Sequence, residues 1–276
     1  MRLLRRLGRS PAALAGLALL LAVAVMAAAG PLLYPEGPWV LIGRPFAWPG
    51  EMPGRPLGTD SLGRDVAAGI LHGSRISLLI GLTATAVALG FGVAIGAIAG
   101  YFGGWIDDAL MRLTDAMQTI PPFLLAVVIV VIVKPTVATI ILAIAAISWP
   151  AVARLVRAEF LRLREAEFIA ACRAMGMSDL RIILTQILPN SSAPIVVSAS
   201  IMVATAIVTE AGLSFLGLGD PNVMSWGTMV GLGRSDFRTA WYLVAEPGIA
   251  IVLTVLALNL LGDGLNDALN TRLGGD

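Results

Sequence analysis

Residues 76–101 read ISLLIGLTATAVALGFGVAIGAIAGY, a run of 26 residues without a charged side chain. A helix needs about 20 apolar residues to cross the roughly 30 Å hydrocarbon core of a bilayer. The run also contains Gly92, Gly96 and Gly100, whose four-residue spacing places them on one helix face. Another helix backbone can approach closely along such a face. The run therefore predicts a membrane-spanning helix packed against a neighbouring helix.

The whole chain has the same character. Of its 276 residues, 57% are hydrophobic and 13% are charged, and the mean hydropathy is +0.86. A soluble domain carries about a quarter charged residues, so lipid must replace water around much of this surface. The net charge of +1 argues against a nucleic-acid-binding surface.

Five further runs are candidate spans under the same rule, which predicts an all-α, polytopic membrane protein with six transmembrane helices. One of them is short, and we expect it to borrow a turn from Asp115–Pro121. The predicted spans are Pro11–Leu33, Ile76–Tyr101, Pro122–Val133, Thr136–Val152, Ala193–Leu216 and Pro247–Leu261.

The arginines predict the orientation, because Lys and Arg near helix ends favour the cytoplasmic side. With the N-terminus inside, twelve arginines lie on the cytoplasmic side, against seven basic residues outside, so both termini are predicted to be cytoplasmic. The inner set is Arg2, Arg5, Arg6, Arg9, Arg112, Arg154, Arg157, Arg162, Arg164, Arg173, Arg181 and Arg272. The outer set is Arg44, Arg55, Arg64, Arg75, Lys134, Arg234 and Arg238.

The first span has a second interpretation. Arginines followed by an apolar run and Ala27-Ala28-Ala29 also match a cleavable signal peptide. Because the apolar run continues through Pro31, Leu32 and Leu33, we interpret this span as an uncleaved anchor.

Three residues occur once each, and each excludes a class of site. The single Cys172 excludes an internal disulfide, and the single His72 excludes paired-histidine zinc motifs. The single Lys134 lies in Val-Lys-Pro, which is not the Gly-Lys-Ser/Thr of a phosphate-binding loop. If the protein works by ATP hydrolysis, another chain must hydrolyse the ATP.

Charges inside spans are typical of ion-coupled carriers, and this chain has two candidates. Glu210 lies near the outer end of the fifth span and Asp263 near the inner end of the sixth. Since both are close to a predicted membrane interface, we expect a solvated or capping role for each. A proton-coupled carrier remains an alternative.

The inner segment 154–189 predicts two short helices that break at Gly176, because good helix formers precede it and glycine commonly follows a helix end. Ser178 or Asp179 is expected to cap the second helix, and Pro189 to end it. On the first helix, Phe168, Ala171, Cys172 and Met175 share one stripe. Such a stripe fits a cleft on a partner or the protein's own bundle, and the spacing does not choose between them.

This segment resembles the EAA loop of binding-protein-dependent ABC importer permeases, whose pattern is Glu-Ala-Ala-x-x-x-Gly, nine residues and Ile-x-Leu-Pro. Anchored on Gly176, the chain departs from it at Ala170, Cys172 and Gln186. The resemblance implies that the loop supplies a coupling helix that docks in a groove of an ATPase subunit. The implied docking residues are Glu167, Phe168, Ala170, Ala171, Cys172, Met175, Gly176, Ser178, Asp179, Leu188 and Pro189.

Four further blocks, at 56–65, 210–219, 225–227 and 259–269, resemble the C-type permeases of dipeptide, oligopeptide and nickel importers. Without the resemblance, Gly58-Thr59-Asp60 and Gly63-Arg64-Asp65 are typical of turns. The signature residues are Gly58, Thr59, Asp60, Gly63, Arg64, Asp65, Glu210, Gly212, Gly217, Gly219, Trp226, Gly262 and Asp263.

The resemblance implies one permease domain over 1–276, with an anchor and outer segment at 1–54 and a core at 55–276, in the bacterial inner membrane. It implies a heterodimer with a second permease, two ATPase domains and an extracytoplasmic binding protein. The chain itself is expected to be non-catalytic and to bind no cofactor, with ATP and Mg on the ATPases. Peptides are the expected substrate, and nickel or another small solute is the alternative.

Overall fold

The computed structural model describes residues 10–269, and helices form most of this part of the chain. Its extended backbone pairs are isolated bridges in the segment before α2. The helices are α1 Pro11–Leu33, α2 Val66–Phe102, α3 Gly104–Gln118, α4 Pro122–Val133, α5 Val137–Arg164, α6 Glu167–Ala174, α7 Asp179–Ile182, α8 Leu188–Asn190, α9 Ser192–Phe215, α10 Trp226–Gly233 and α11 Tyr242–Leu269. A π-helical turn at Ile183–Ile187 joins α7 to α8, and a 3₁₀ turn at Arg234–Asp236 follows α10.

Five helices, α1, α2, α5, α9 and α11, are long and apolar enough to cross a membrane. They confirm five of the six predicted spans, and three of them are longer than predicted. For example, α2 starts at Val66 rather than Ile76, because Asp65 caps it by accepting a 2.9 Å hydrogen bond from the Ala67 amide. Hydropathy marks only the part of a helix that lies in lipid, whereas backbone hydrogen bonding continues beyond it.

The third span differs from the prediction. The residues expected to lend it a turn belong mostly to a separate helix, α3, and α3 and α4 meet at an angle of 80°. Pro121 and Pro122 explain the break, because a proline lacks an amide hydrogen and disfavours helical backbone in the residue before it. With 12 residues, α4 is about 18 Å long and shorter than the hydrocarbon core.

The glycine face of α2 packs against a neighbouring helix, as predicted, and this neighbour is α5. At Gly100, an added Cβ would lie 2.6 Å from Phe160 Cβ and 2.8 Å from the Arg157 carbonyl oxygen. Gly96 and Gly92 meet α5 in the same way, one and two turns earlier on α2. The two helix backbones are therefore in direct contact along this face.

The segment between α1 and α2 forms an ordered cap over one end of the bundle. The Tyr242 hydroxyl at the start of α11 donates to the carbonyl oxygens of Ala47 (3.1 Å) and Thr59 (2.8 Å). The Trp48 ring lies beside Trp241 and Tyr242. These contacts hold the Pro- and Gly-rich segment against α11.

The orientation of the termini stays a prediction. Arg2, Arg5, Arg6, Arg9 and Arg272, on which it partly depends, lie outside the described residues.

Candidate functional site

A helical hairpin lies between α5 and α9, and its turn is at Gly176, as predicted. Gly176 has a φ of +76°, a conformation that glycine adopts readily. The Met177 amide donates to the Cys172 carbonyl (3.1 Å) and the Gly176 amide to the Arg173 carbonyl (2.9 Å). This pair of bonds is a Schellman motif, which ends α6.

The inner face of the hairpin packs onto the bundle. Ile169, Cys172, Ile182 and Ile187 are buried in one cluster with Phe160 and other residues of α2 and α5. Cys172 is therefore a packing residue. The predicted four-residue stripe is wrong at this position, because Cys172 faces inward while its other three members are exposed.

The outer face of the hairpin is apolar and uncovered. Met175 is 73% exposed, and Phe168 and Leu180 are also exposed. Ala170 and Ala171 lie between Phe168 and Met175 in the chain and are also exposed. Their small side chains make this part of the outer face shallow. Leu180 was not identified from the sequence, although its position one turn after Gly176 was a usable signal.

Side chains around Asp179 tie the hairpin to the end of α2. The Tyr101 hydroxyl donates to Asp179 Oδ1, and the Arg173 guanidinium lies 5.6 Å from the Tyr101 ring. The capping expectation is wrong in detail, because Ser178 occupies the N-cap position without a side-chain hydrogen bond. The Asp179 carboxylate, predicted as a cap, makes a tertiary contact with α2.

Pro189 does not end the second helix. The chain stays helical through α8 to Asn190, and the π-helical turn Ile183–Ile187 directly precedes Leu188 and Pro189. A proline ring inside a helix clashes with the carbonyl four residues earlier and removes one hydrogen bond. The wider π turn accommodates both effects, so the helix continues where we expected it to stop.

The signature residues at 58–65 build the cap at the opposite end of α2. Asp60 Oδ1 accepts from the amides of Leu62 and Arg64, both at 2.9 Å, which confirms the turn interpretation. Thr59 Oγ1 donates to the Arg44 carbonyl at 2.7 Å. Gly58 and Gly63 have φ of +74° and +79°. Because α2 has 37 residues, about 55 Å separates this cap from the hairpin.

Glu210 is buried rather than solvated, and the expectation for it is wrong. Its side chain is 2% exposed, and Oε1 accepts from Ser214 Oγ (2.8 Å) and Ser225 Oγ (2.7 Å). Its Oε2 has no hydrogen-bond partner among the described residues. The helix α10 folds back over the Glu210 carboxyl group. Glycine at position 227 makes space for this group, because a Cβ at that position would lie 2.8 Å from Oε2.

The remaining signature residues lie on or between the later helices. The buried Trp226 donates from its amide to Ser77 Oγ (3.1 Å) and from Nε1 to the Ile70 carbonyl (3.0 Å), which fixes α10 to α2. Asp263 is exposed, as expected. Gly212 lies against Phe123, Gly219 against Ser214 and Gly262 against Ser200. Gly217 lies in a left-handed turn after α9.

A groove of about 440 Å³ opens between α4, α5 and α9, and no charged side chain lines it. Four of its lining residues carry a hydroxyl group. Thr205 Oγ1 donates to the Ile201 carbonyl (3.0 Å) and Thr209 Oγ1 to the Thr205 carbonyl (2.8 Å). The lining residues are Pro122, Phe123, Ile147, Ser148, Ala151, Ser198, Ile201, Met202, Thr205 and Thr209. This surface was not predicted from the sequence, although the hydroxyl residues Ser198, Thr205 and Thr209, spaced seven and four residues apart on an apolar helix, were a usable signal.

Comparisons with known proteins match nearly the whole chain. Residues 92–275 match the family described as binding-protein-dependent transport system inner membrane component, and residues 2–42 match the N-terminal TM domain of oligopeptide transport permease C. The dipeptide transport system permease protein DppC of Alkalihalophilus pseudofirmus is 45% identical over 218 residues, 79% of this chain and 72% of the relative. The glutathione transport system permease protein GsiD of Pectobacterium atrosepticum is equally similar over the same shares.

Another relative is similar to this chain over a larger part of its length. A dipeptide transport system permease protein DppC of Haemophilus influenzae is 38% identical over 267 residues, 95% of this chain and 90% of the relative. Among solved structures, a chain of the inward-facing MetNI methionine ABC transporter has a TM-score of 0.59 at 19% identity, over 72% of this chain and 95% of that chain. At this identity the structural likeness shows the fold.

Proposed function

Because this chain belongs to the family of binding-protein-dependent transport system inner membrane components and is a permease subunit of a bacterial ABC importer in the inner membrane, we propose that it moves dipeptides or oligopeptides inward. The observation that carries the substrate class is the similarity over nearly the full length to a dipeptide permease protein. Nickel or another small solute is the second candidate, because the C-type signature blocks are shared with nickel importers.

The hairpin is the proposed docking surface for an ATPase subunit. Its outer face exposes Phe168, Met175 and Leu180 at the bundle end that carries the arginines predicted to be cytoplasmic. Exposed apolar patches of this kind mark protein interaction sites. The inner face is buried against Phe160 of α5 and Tyr101 of α2, so a displacement of the hairpin reaches both helices directly.

Coupling then follows from population shift. ATP and Mg bind to the ATPase subunits and draw them together, and the closed pair binds one arrangement of the docked hairpins more tightly than the other. This differential affinity reorients the helices. The chain itself performs no covalent chemistry in this scheme, and its partner within the membrane is a second, homologous permease in a heterodimer.

The hydroxyl-lined groove between α4, α5 and α9 is the proposed contribution of this chain to the translocation path. Lipid contact favours apolar side chains, as on the exposed face of α4, whereas this surface presents Ser148, Ser198, Thr205 and Thr209. Neutral hydroxyls offer hydrogen bonds to a peptide backbone without holding a charged side chain strongly. Selection among peptides would then fall to the extracytoplasmic binding protein.

The first experiment is mass spectrometry of the proteins that co-purify with the tagged chain from native membranes in mild detergent. We expect a second permease and P-loop ATPases, and a binding protein whose isolated form binds peptides. A binding protein that binds nickel and no peptide would overturn the substrate proposal alone. Recovery of the chain by itself as a stable homo-oligomer would contradict the importer assembly.

A second experiment tests the groove with Thr205→Trp. The indole should occupy much of the groove and lower peptide uptake into proteoliposomes by about tenfold, which corresponds to about 1.4 kcal/mol. The control is Val196→Trp on the opposite, exposed face of the same helix, which should transport normally. Equal uptake by the two variants, at equal recovery of the assembled complex, would show that the groove is not on the path.

A further inference from the structure

The short helix α3 has no assigned role, and its outward surface is divided into two sectors. Trp105 is 79% and Leu113 52% exposed, and with Ala109 and Ala116 they form one apolar stripe at helical spacing. Asp108, Arg112 and Asp115 form an adjoining exposed charged stripe. The third side, with Asp107 and Thr114, is buried against the bundle.

Two ion pairs show how α3 lies across α5. Asp107 receives hydrogen bonds from Nε and Nη2 of Arg157 (2.5 and 2.6 Å), and Asp115 pairs with Arg154 (2.6 Å). The two aspartates are about 12 Å apart along α3, whereas the two arginines are about 4.5 Å apart along α5. The helix α3 therefore crosses α5 steeply.

The depth of this crossing follows from the length of α5. Measured from Val137 at the outer end of α5, Arg154 and Arg157 lie about 26 and 30 Å along the helix. The hydrocarbon core is about 30 Å thick. The helix α3 therefore crosses α5 at the boundary between the hydrocarbon and the headgroups, on the side of the hairpin.

We propose that α3 is an interfacial helix whose Trp105–Leu113 stripe is inserted into the lipid of the leaflet on the hairpin side. A helix in the membrane plane divides its exposed surface into an apolar sector toward the acyl chains and a charged sector toward water. Tryptophan is enriched at this depth of a bilayer. The apolar surface also continues into α4, where Leu124, Val128 and Val131 are exposed. That this leaflet is the cytoplasmic one rests on the proposed function.

Spin labelling of the importer complex in vesicles of phosphatidylethanolamine and phosphatidylglycerol tests the proposal. Single cysteines replace Leu113 and Ala109 in the stripe, Asp108 in the charged sector and Thr114 on the buried side. The complex without an added cysteine measures background from the buried Cys172 and from partner chains. Collision rates with oxygen, which concentrates in lipid, and with a water-soluble nickel chelate then report the surroundings of each label.

We expect the oxygen-to-chelate ratio at positions 109 and 113 to exceed that at 108 by about tenfold, as for a helix lying in the interface. Labels at 109 and 113 that are immobilised and reached by neither reagent, as expected at Thr114, would show that another protein chain covers the stripe and would overturn the proposal. Free access of the chelate to both positions would place the stripe in water and would overturn it as well. Either result leaves the assignment of the hairpin and groove intact.

Discussion

Gly96→Leu should remove most of the folded protein from the membrane. At this position a Cβ would lie 2.8 Å from Val156 Cβ and 3.0 Å from the Arg157 amide nitrogen. Two of the obstacles at Gly96 are backbone atoms of α5, so a side-chain rotation cannot relieve the clash. Overpacking of a filled core costs about 1–3 kcal/mol and occasionally more. Here the cost falls at the high end, because α2 and α5 must separate along their contact.

The measurement is the monodisperse fraction of the purified complex in mild detergent, together with its thermal unfolding midpoint. Gly90→Leu is the matched control, because Gly90 lies on the same helix and an added Cβ there meets nothing within 4 Å. We expect this control to purify like the unaltered protein. Equal yields and midpoints for the two variants would contradict direct backbone packing of α2 against α5.

Gly176→Val should uncouple ATP hydrolysis from transport and leave the bundle intact. The residue has a φ of +76°, and an added Cβ would meet nothing within 4 Å. The cost is therefore conformational, about 1–2 kcal/mol for a side chain in left-handed backbone and at the upper end for a β-branched one. If the turn must be formed for docking, ATP-driven uptake falls by about tenfold, since 1.4 kcal/mol is a factor of ten.

Uptake and ATP hydrolysis are measured in the same proteoliposomes, so that their ratio reports coupling. Gly176→Asn serves as the control, because asparagine tolerates left-handed backbone better than other side chains. We expect it to keep most of the uptake. Normal transport by Gly176→Val would show that the turn is not part of the coupling surface.

Local signals in the sequence were sufficient for much of the fold. Spans such as Pro11–Leu33 were predicted because about 20 apolar residues in succession have few other stable arrangements than a helix in lipid. The turns at Gly176 and at Asp60 were predicted because left-handed glycine and aspartate-to-amide bonding involve neighbours in the chain. A close helix contact along α2 was predicted because three glycines on one face permit it, whereas the structure identifies α5 as the partner.

Long-range contacts account for the errors. Glu210 was placed near water by its position in a span, but α10, which follows it by 16 residues, folds back and buries the carboxyl. Cys172 belongs to an apparently uniform stripe, yet it faces α5 while Phe168 and Met175 face outward. The direction of a side chain on a short helix depends on where the helix docks, and spacing along the chain does not contain that information.

The sequence by itself determined that the protein lies in a membrane, where its five long apolar helices lie, where the hairpin turns and which family it belongs to. Each of these depends on composition or on interactions among residues close in the chain. Only the tertiary structure decided that α3 crosses α5 instead of completing a span, that Glu210 is enclosed, and that Thr205 and Thr209 share a groove with α4 and α5. The physical reason is that these features arise from burial between helices that are distant in sequence.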